Sequence, residues 1–192
     1  MILHHGPQQN EMTIQDLLAE WDGKSVNDLE LIYHKFSVEK DFVDQLIEML
    51  RTVELNNGAL WLLKHYFESS KRLSAQKIDA VYASLPMSHG WQSKLLFLQC
   101  IPYMPIEESH KIPIEQFLKG GIIDSNAFVR AWSYNGFHQL AQQYPEYQKQ
   151  VQEFFEMALR DETASVKARI RNIIKNTARK LSENMNHHEN EA

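Results

Sequence analysis

Apolar side chains recur along this chain at intervals of three and four, the spacing that gathers residues on one side of an α-helix. Over 13–21, Ile14, Leu17, Leu18 and Trp21 share such a face, and Asp22-Gly23 stops the segment. Ser25 then stands where an N-cap belongs, ahead of Leu29, Ile32, Tyr33 and Phe36. A third helix is expected over 39–53, burying Phe42, Val43, Leu46, Ile47 and Leu50. A fourth is expected from about Asn56-Asn57-Gly58, carrying Leu60, Leu63 and Phe67. The next pair spans 74–85 and 88–101, with Pro86 at the turn. Pro102, Pro105 and Pro113 bracket 102–113, which reads as the longest irregular passage, because proline breaks helix interiors. No alternating apolar pattern competes for a sheet.

Beyond that passage the pattern is written twice, 37 residues apart. Ile114, Phe117, Leu118 and Ile122 fall on Val151, Phe154, Phe155 and Leu159. Asp124 falls on Asp161, Val129-Arg130-Ala131 on Val166-Lys167-Ala168, Phe137 on Ile174 and Ala141 on Ala178. Each copy reads as two helices and a turn. In the first, Gly120-Gly121 weakens the leading helix and Asp124-Ser125-Asn126 offers N-caps for the next. Small Ser133 and Gly136 let that second helix lie close to a neighbour, and Tyr144-Pro145 ends it. In the second copy Thr163 is the expected cap, and Val166, Ile170, Ile173 and Ile174 carry the buried stripe. Periods of this size mark stacked helical hairpins.

A turn aspartate, then Val-Arg-Ala opening an amphipathic helix, resembles the HEAT repeat family, kin of the armadillo repeats. Asp124 with Val129 and Asp161 with Val166 are the matching positions. The resemblance covers roughly the last 70 residues and implies an all-α fold: a right-handed α-α superhelix of about ten helices in about five hairpins. It implies a single solenoid domain over 12–182, clearest in repeats 113–144 and 150–182, while composition makes 1–11 a flexible segment and 183–192 a disordered polar tail. It also implies that the turn aspartate and the helix arginine pair between neighbouring repeats. Lys167 in the second copy lacks the planar fork for that contact.

At 192 residues and 43% hydrophobic content, the chain can bury a substantial core. No apolar run reaches membrane-spanning length, and the first residues lack a signal-peptide pattern, so cytoplasmic residence is expected. Cys100 is the one cysteine and lies in an apolar run, which predicts a buried, inert thiol. The net charge of −5 is uneven. Residues 1–70 hold 5 basic and 12 acidic side chains, a local net of −7, whereas 159–182 hold 7 and 2, a local net of +5. An acidic front half argues against wrapping a nucleic-acid duplex along the whole length.

The sequence contains no phosphate-cradling glycine loop, zinc-protease helix, nucleophile elbow or calcium loop. Neither a metal nor a cofactor is expected. His4-His5 read as incidental, and Glu107-Glu108-Ser109-His110 as a solvated loop. The repeat phase supplies the candidate site. With Val129, Ser133, Gly136 and Phe137 inward, Arg130, Tyr134 and His138 form an outward stripe, and Lys167, Arg171 and Lys175 are their counterparts one repeat later. On the concave second-helix face of a HEAT-like stack these six would sit side by side and suit an anionic partner. Trp61, Trp91 and Trp132 lie near the starts of successive second helices, where core positions are the usual outcome and an exposed subset would be a binding anchor. The leading expectation is a non-enzymatic scaffold that holds a protein or peptide. The alternative is nucleic-acid work: HEAT-like repeats also build alkylpurine DNA glycosylases, basic enzymes with a tryptophan and a nearby helical aspartate. Here Ser133, Tyr134, Asn135 and Gly136 follow Trp132, with no carboxylate within a turn.

Overall fold

The computed structural model describes residues 12–189, apart from the side chains at 180, 181 and 184–189. The expected flexible segment 1–11, with His4-His5, and the last residues 190–192 lie outside this range. Among the described residues there are ten α-helices and no strand. They are α1 (Ile14–Glu20), α2 (Val26–Phe36), α3 (Phe42–Met49), α4 (Val53–Glu68), α5 (Ala75–Ala83), α6 (Trp91–Cys100), α7 (Glu108–Gly121), α8 (Ala127–Gln143), α9 (Gln148–Asp161) and α10 (Ala164–Glu189). Short 3₁₀ turns follow α5, α6 and α8.

Local chemistry sets many of the starts. Thr13 Oγ1 accepts from the amide of Asp16, and the Asp16 carboxylate accepts from the amide of Thr13, which makes a reciprocal capping box for α1. Ser25 caps α2 and Ser74 caps α5. Asn126 Oδ1 accepts from the amides of Phe128 (2.9 Å) and Val129 (3.4 Å) at the head of α8. Its own amide donates to Asp124 Oδ1 at 2.8 Å. Asn126→Ala is therefore expected to cost about 1 kcal/mol in a urea melt; an unchanged midpoint would mean the cap is dispensable.

Several boundaries differ from the sequence pattern. The third helix is shorter than expected, and α4 begins at Val53 rather than near Asn56. The passage 102–113 is not irregular throughout. Helix α7 starts at Glu108, and Pro113 lies inside it, on the exposed side. Tertiary partners pin this first turn. His110 meets Asp79 of α5, Lys111 meets Glu108 and Glu146, and Ile114 is fully buried. These contacts outweigh the one backbone hydrogen bond that proline forfeits. The connection before α7 is also fastened: Gln143 Oε1 accepts from the Ile106 amide at 2.8 Å, and the Tyr144 hydroxyl donates to the Ile106 carbonyl at 2.7 Å. Past Ser182, where the pattern predicts the polar tail, α10 continues to Glu189.

Helices α4, α6, α8 and α10 pack against one another in that order, while α3 backs α4, and α7 and α9 back α8. Arg169 meets Trp132 and, further along both helices, Thr177 meets His138, so α8 and α10 run parallel. One apolar cluster extends from Ile14 to Ile173, with Phe42, Phe67, Phe97 and Phe137 fully buried. The hydrogen bonds and ion pairs across it share a length scale. Those given by the described side chains to distant parts of the chain join residues 30 to 39 apart, except Tyr82 to Met104. Polar contacts of that span join helices and turns that are distant along the chain.

Candidate functional site

A cation stands at the fourth position of α6, α8 and α10, and two of the three reach a carboxylate in a later turn. Lys94 of α6 reaches forward to Asp124, Nζ to Oδ2 at 2.8 Å. Arg130 of α8 reaches forward to Glu162, with Nε to Oε1 at 2.8 Å and Nη2 to Oε2 at 3.0 Å. Its remaining amino group donates to the carbonyls of Asp124 (2.9 Å) and Ser125 (3.1 Å). Lys167 of α10 turns instead to the turn before its own helix, where its Nζ donates to the Arg160 carbonyl at 2.9 Å. Neither turn aspartate pairs its carboxylate with the arginine or lysine of the helix that follows it. Asp124 serves the cation of the preceding helix, and Glu162, not Asp161, serves Arg130. Asp161 stays exposed beside Arg160.

Electrostatics follow from these contacts. The Arg130 fork holds the Glu162 carboxyl below its ordinary range. Burial acts to raise Asp124, but the Lys94 ammonium and the Asn126 amide outweigh it, and Asp124 too is held low. Arg130 itself is raised by the bonds to Glu162.

The six residues of the expected outward stripe are therefore not equivalent. Arg130 is consumed by the clamp. Tyr134 is buried at 3% exposure, in edge-to-face contact with Phe155 at 6.3 Å, because α8 has neighbours on several sides and no free stripe there. His138 is half-buried, with Nε2 3.2 Å from Thr177 Oγ1. Lys167 is half-buried at the end of the ladder. Arg171 and Lys175 alone of the six are exposed, one turn apart on α10, with no ion pair among the described residues. Val129 and Val166 are fully buried, but Ile174 is 45% exposed and leaves the expected buried stripe.

The tryptophans also divide. Trp61 is half-buried and stacked on His65 at 5.1 Å, Trp91 is 46% exposed, and Trp132 is half-buried beneath the guanidinium of Arg169 at 4.1 Å. Arg169 escapes a reading by charge, yet it sits 37 residues after Trp132, the repeat offset itself. Cys100 is fully buried and burial pushes its thiol up, which suppresses the thiolate. His110 turns to Asp79 and not to Ser109, so the acid, hydroxyl and imidazole of 107–110 do not converge. A cleft of about 780 Å³ among α1, α3 and α5 is edged by the Asp44–Lys77 ion pair. Among the described residues no group of three or more His, Cys, Asp or Glu is placed to hold a metal ion. No helix among them is long and apolar enough to cross a membrane. No family model, curated protein or solved structure matches the chain.

Proposed function

We propose that this chain is a HEAT-like α-solenoid, a right-handed stack of helical hairpins, and that it works as a non-enzymatic module holding a protein or peptide of acidic surface. The observation that carries the reading is the side-by-side order of α4, α6, α8 and α10 combined with the exposed, unpaired Arg171 and Lys175 at the end of that layer. The common span of the cross-chain polar contacts supports the stack, since units of a solenoid touch only their neighbours. The local charge of 159–182 makes that end the electrostatically complementary surface for an anionic protein. A nucleic-acid role gains nothing from the geometry, because Trp132 is covered by Arg169 and one short cationic row cannot follow a phosphate backbone.

The test is affinity capture on the full chain with and without nuclease, repeated with Arg171→Glu/Lys175→Glu. One stoichiometric protein, retained under nuclease and weakened about tenfold or more by the double reversal, is the expected result. Both positions are exposed, so the thermal midpoint should stay within about 2 °C of the parent. Capture that is indifferent to the reversal removes α10 as the working surface, and capture abolished by nuclease overturns the protein-partner reading.

A further inference from the structure

Every other half-buried cation of the second-helix layer from α6 onward has an oxygen acceptor. Lys94 has Asp124, Arg130 has Glu162 and two carbonyls, and Lys167 has the Arg160 carbonyl. Arg169 breaks the pattern. Its guanidinium lies over the Trp132 ring at 4.1 Å, and among the described residues it donates no hydrogen bond and joins no ion pair. Burial alone acts on it and pulls its pKa below the usual guanidinium value. Desolvating a cation without an acceptor is unfavourable, so the stacking on Trp132 offsets only part of that cost.

With its carbon 4.1 Å from the Trp132 ring centroid and no acceptor among the described residues, the guanidinium keeps N–H donors available, and a guanidinium edge can engage an oxyanion with two parallel bonds. Its surroundings narrow the choice of oxyanion. Phe128, Trp132 and Asn135 follow one another at i, i+4 and i+7, which places them on one strip of α8. Phe128 is 62% exposed and Asn135 is half-buried. Asn172, three residues after Arg169, is exposed and uncharged. The strip thus offers one cation, one neutral amide and one open aromatic face.

From this geometry we infer that Arg169, braced by Trp132, is the receptor for a single carboxylate of a protein partner. The site takes an Asp or Glu side chain with an apolar neighbour that lies on Phe128, while Asn135 supplies a flanking amide. A lone cation among neutral groups matches a lone carboxylate, whereas a phosphate backbone needs a run of cations. The inference rests on the proposed role as holder of an acidic partner and adds to it a specific recognition residue, distinct from the Arg171–Lys175 row.

The experiment uses ¹⁵N-labelled full-length protein titrated with acetyl-Leu-Asp-Leu-amide, followed by the indole Nε1–H signal of Trp132, which Trp132→Phe assigns. A saturable shift is expected, weakened about tenfold with the Leu-Asn-Leu analogue and lost in Arg169→Gln. Arg169→Lys is expected to retain only a small part of it, since an ammonium cannot make the two-pronged contact. Equal response to the asparagine peptide, survival of the shift in Arg169→Gln, or no saturable shift at all overturns the inference. So does inorganic phosphate or oligo-dT acting at roughly tenfold lower concentration, which would assign the site to phosphate. Because Arg169 has no acceptor to lose, Arg169→Gln should melt at or above the parent temperature. A clear fall would make Arg169 a packing residue and also overturns the inference. Arg171→Glu/Lys175→Glu should leave the tripeptide response intact, so a failed row and a failed Arg169 site are separately visible.

Discussion

Arg130→Ala should lower the stability of the fold by roughly 2–3 kcal/mol, which for a domain of this size corresponds to a fall of about 5–10 °C in the thermal midpoint. The side chains of Arg130 and Glu162 are 16% and 15% exposed, so the pair is shielded without being fully dry. Truncating the arginine strands the Glu162 carboxylate and removes the donor from the Asp124 and Ser125 carbonyls at once. A fully buried pair broken on one side costs more, about 3–5 kcal/mol, and residual exposure sets the lower figure. Arg130→Lys should recover no more than about half, because one ammonium cannot serve two carboxylate oxygens and two carbonyls. A double-mutant cycle with Glu162→Ala should give a coupling of at least about 1 kcal/mol; a value near zero would show that the clamp is ornamental.

The same pair fixes a pH dependence. Glu162 has its folded pKa held below the ordinary 4.5, so the unfolded chain binds more protons as the solution is acidified. Its contribution is fully present above about pH 5 and is lost as pH falls through the depressed folded value. In Glu162→Gln the loss of stability on acidification should be shallower across that window. A slope identical to the parent would mean that the carboxylate is not coupled to folding.

What could be read from the chain, and what could not, divides by the range of the interaction responsible. Ser25 and Asn126 cap their helices where the sequence offers an N-cap, and Tyr144 ends α8 ahead of Pro145. Such contacts span three or four residues and leave a mark in the sequence. The front of α7 leaves none, because it is held by Asp79 and Glu146, each more than 30 residues from its partner. Tyr134 shows a second limit. Counting by four from Arg130 finds an outward stripe only if the helix has one buried side, and α8 is packed by α6, α7, α9 and α10. Ile174 errs in the opposite sense: the period places it on the buried stripe, yet it is 45% exposed. The ladder was visible in part. Lys94, Arg130 and Lys167 are spaced by 36 and 37 residues, but the acceptor shifts from aspartate at one turn to the residue after aspartate at the next. Periodicity locates the donors; only the fold selects the acceptor.

Gly120→Ala and Gly121→Ala should move stability in opposite directions although the residues are adjacent. Both lie at the end of α7 with negative φ, so neither needs glycine for its backbone conformation. A methyl at 120 would meet nothing within 4 Å, and the gain is the helix preference of alanine, about 0.5 kcal/mol near a helix terminus. A methyl at 121 would stand 2.0 Å from Ser133 Oγ and 3.0 Å from Ser133 Cβ, where α7 crosses α8. Ser133 is fully buried and its hydroxyl donates to the Val129 carbonyl at 2.8 Å, so it cannot swing aside without stranding a buried group. The helices must then separate, at a cost of roughly 2 kcal/mol after the helix preference is credited. Ser133→Ala should relieve the hydroxyl overlap and restore part of the loss, leaving the 3.0 Å contact between the two Cβ atoms. Gly136→Ala tests the same crossing from the other side. Its methyl would meet Leu118 Cδ2 at 2.3 Å, and Leu118, itself fully buried, has little room to yield. Chemical denaturation of the four variants decides the matter. Equal effects at 120 and 121 would show that α7 and α8 are farther apart than this packing requires, and α8 would lose its backing from α7.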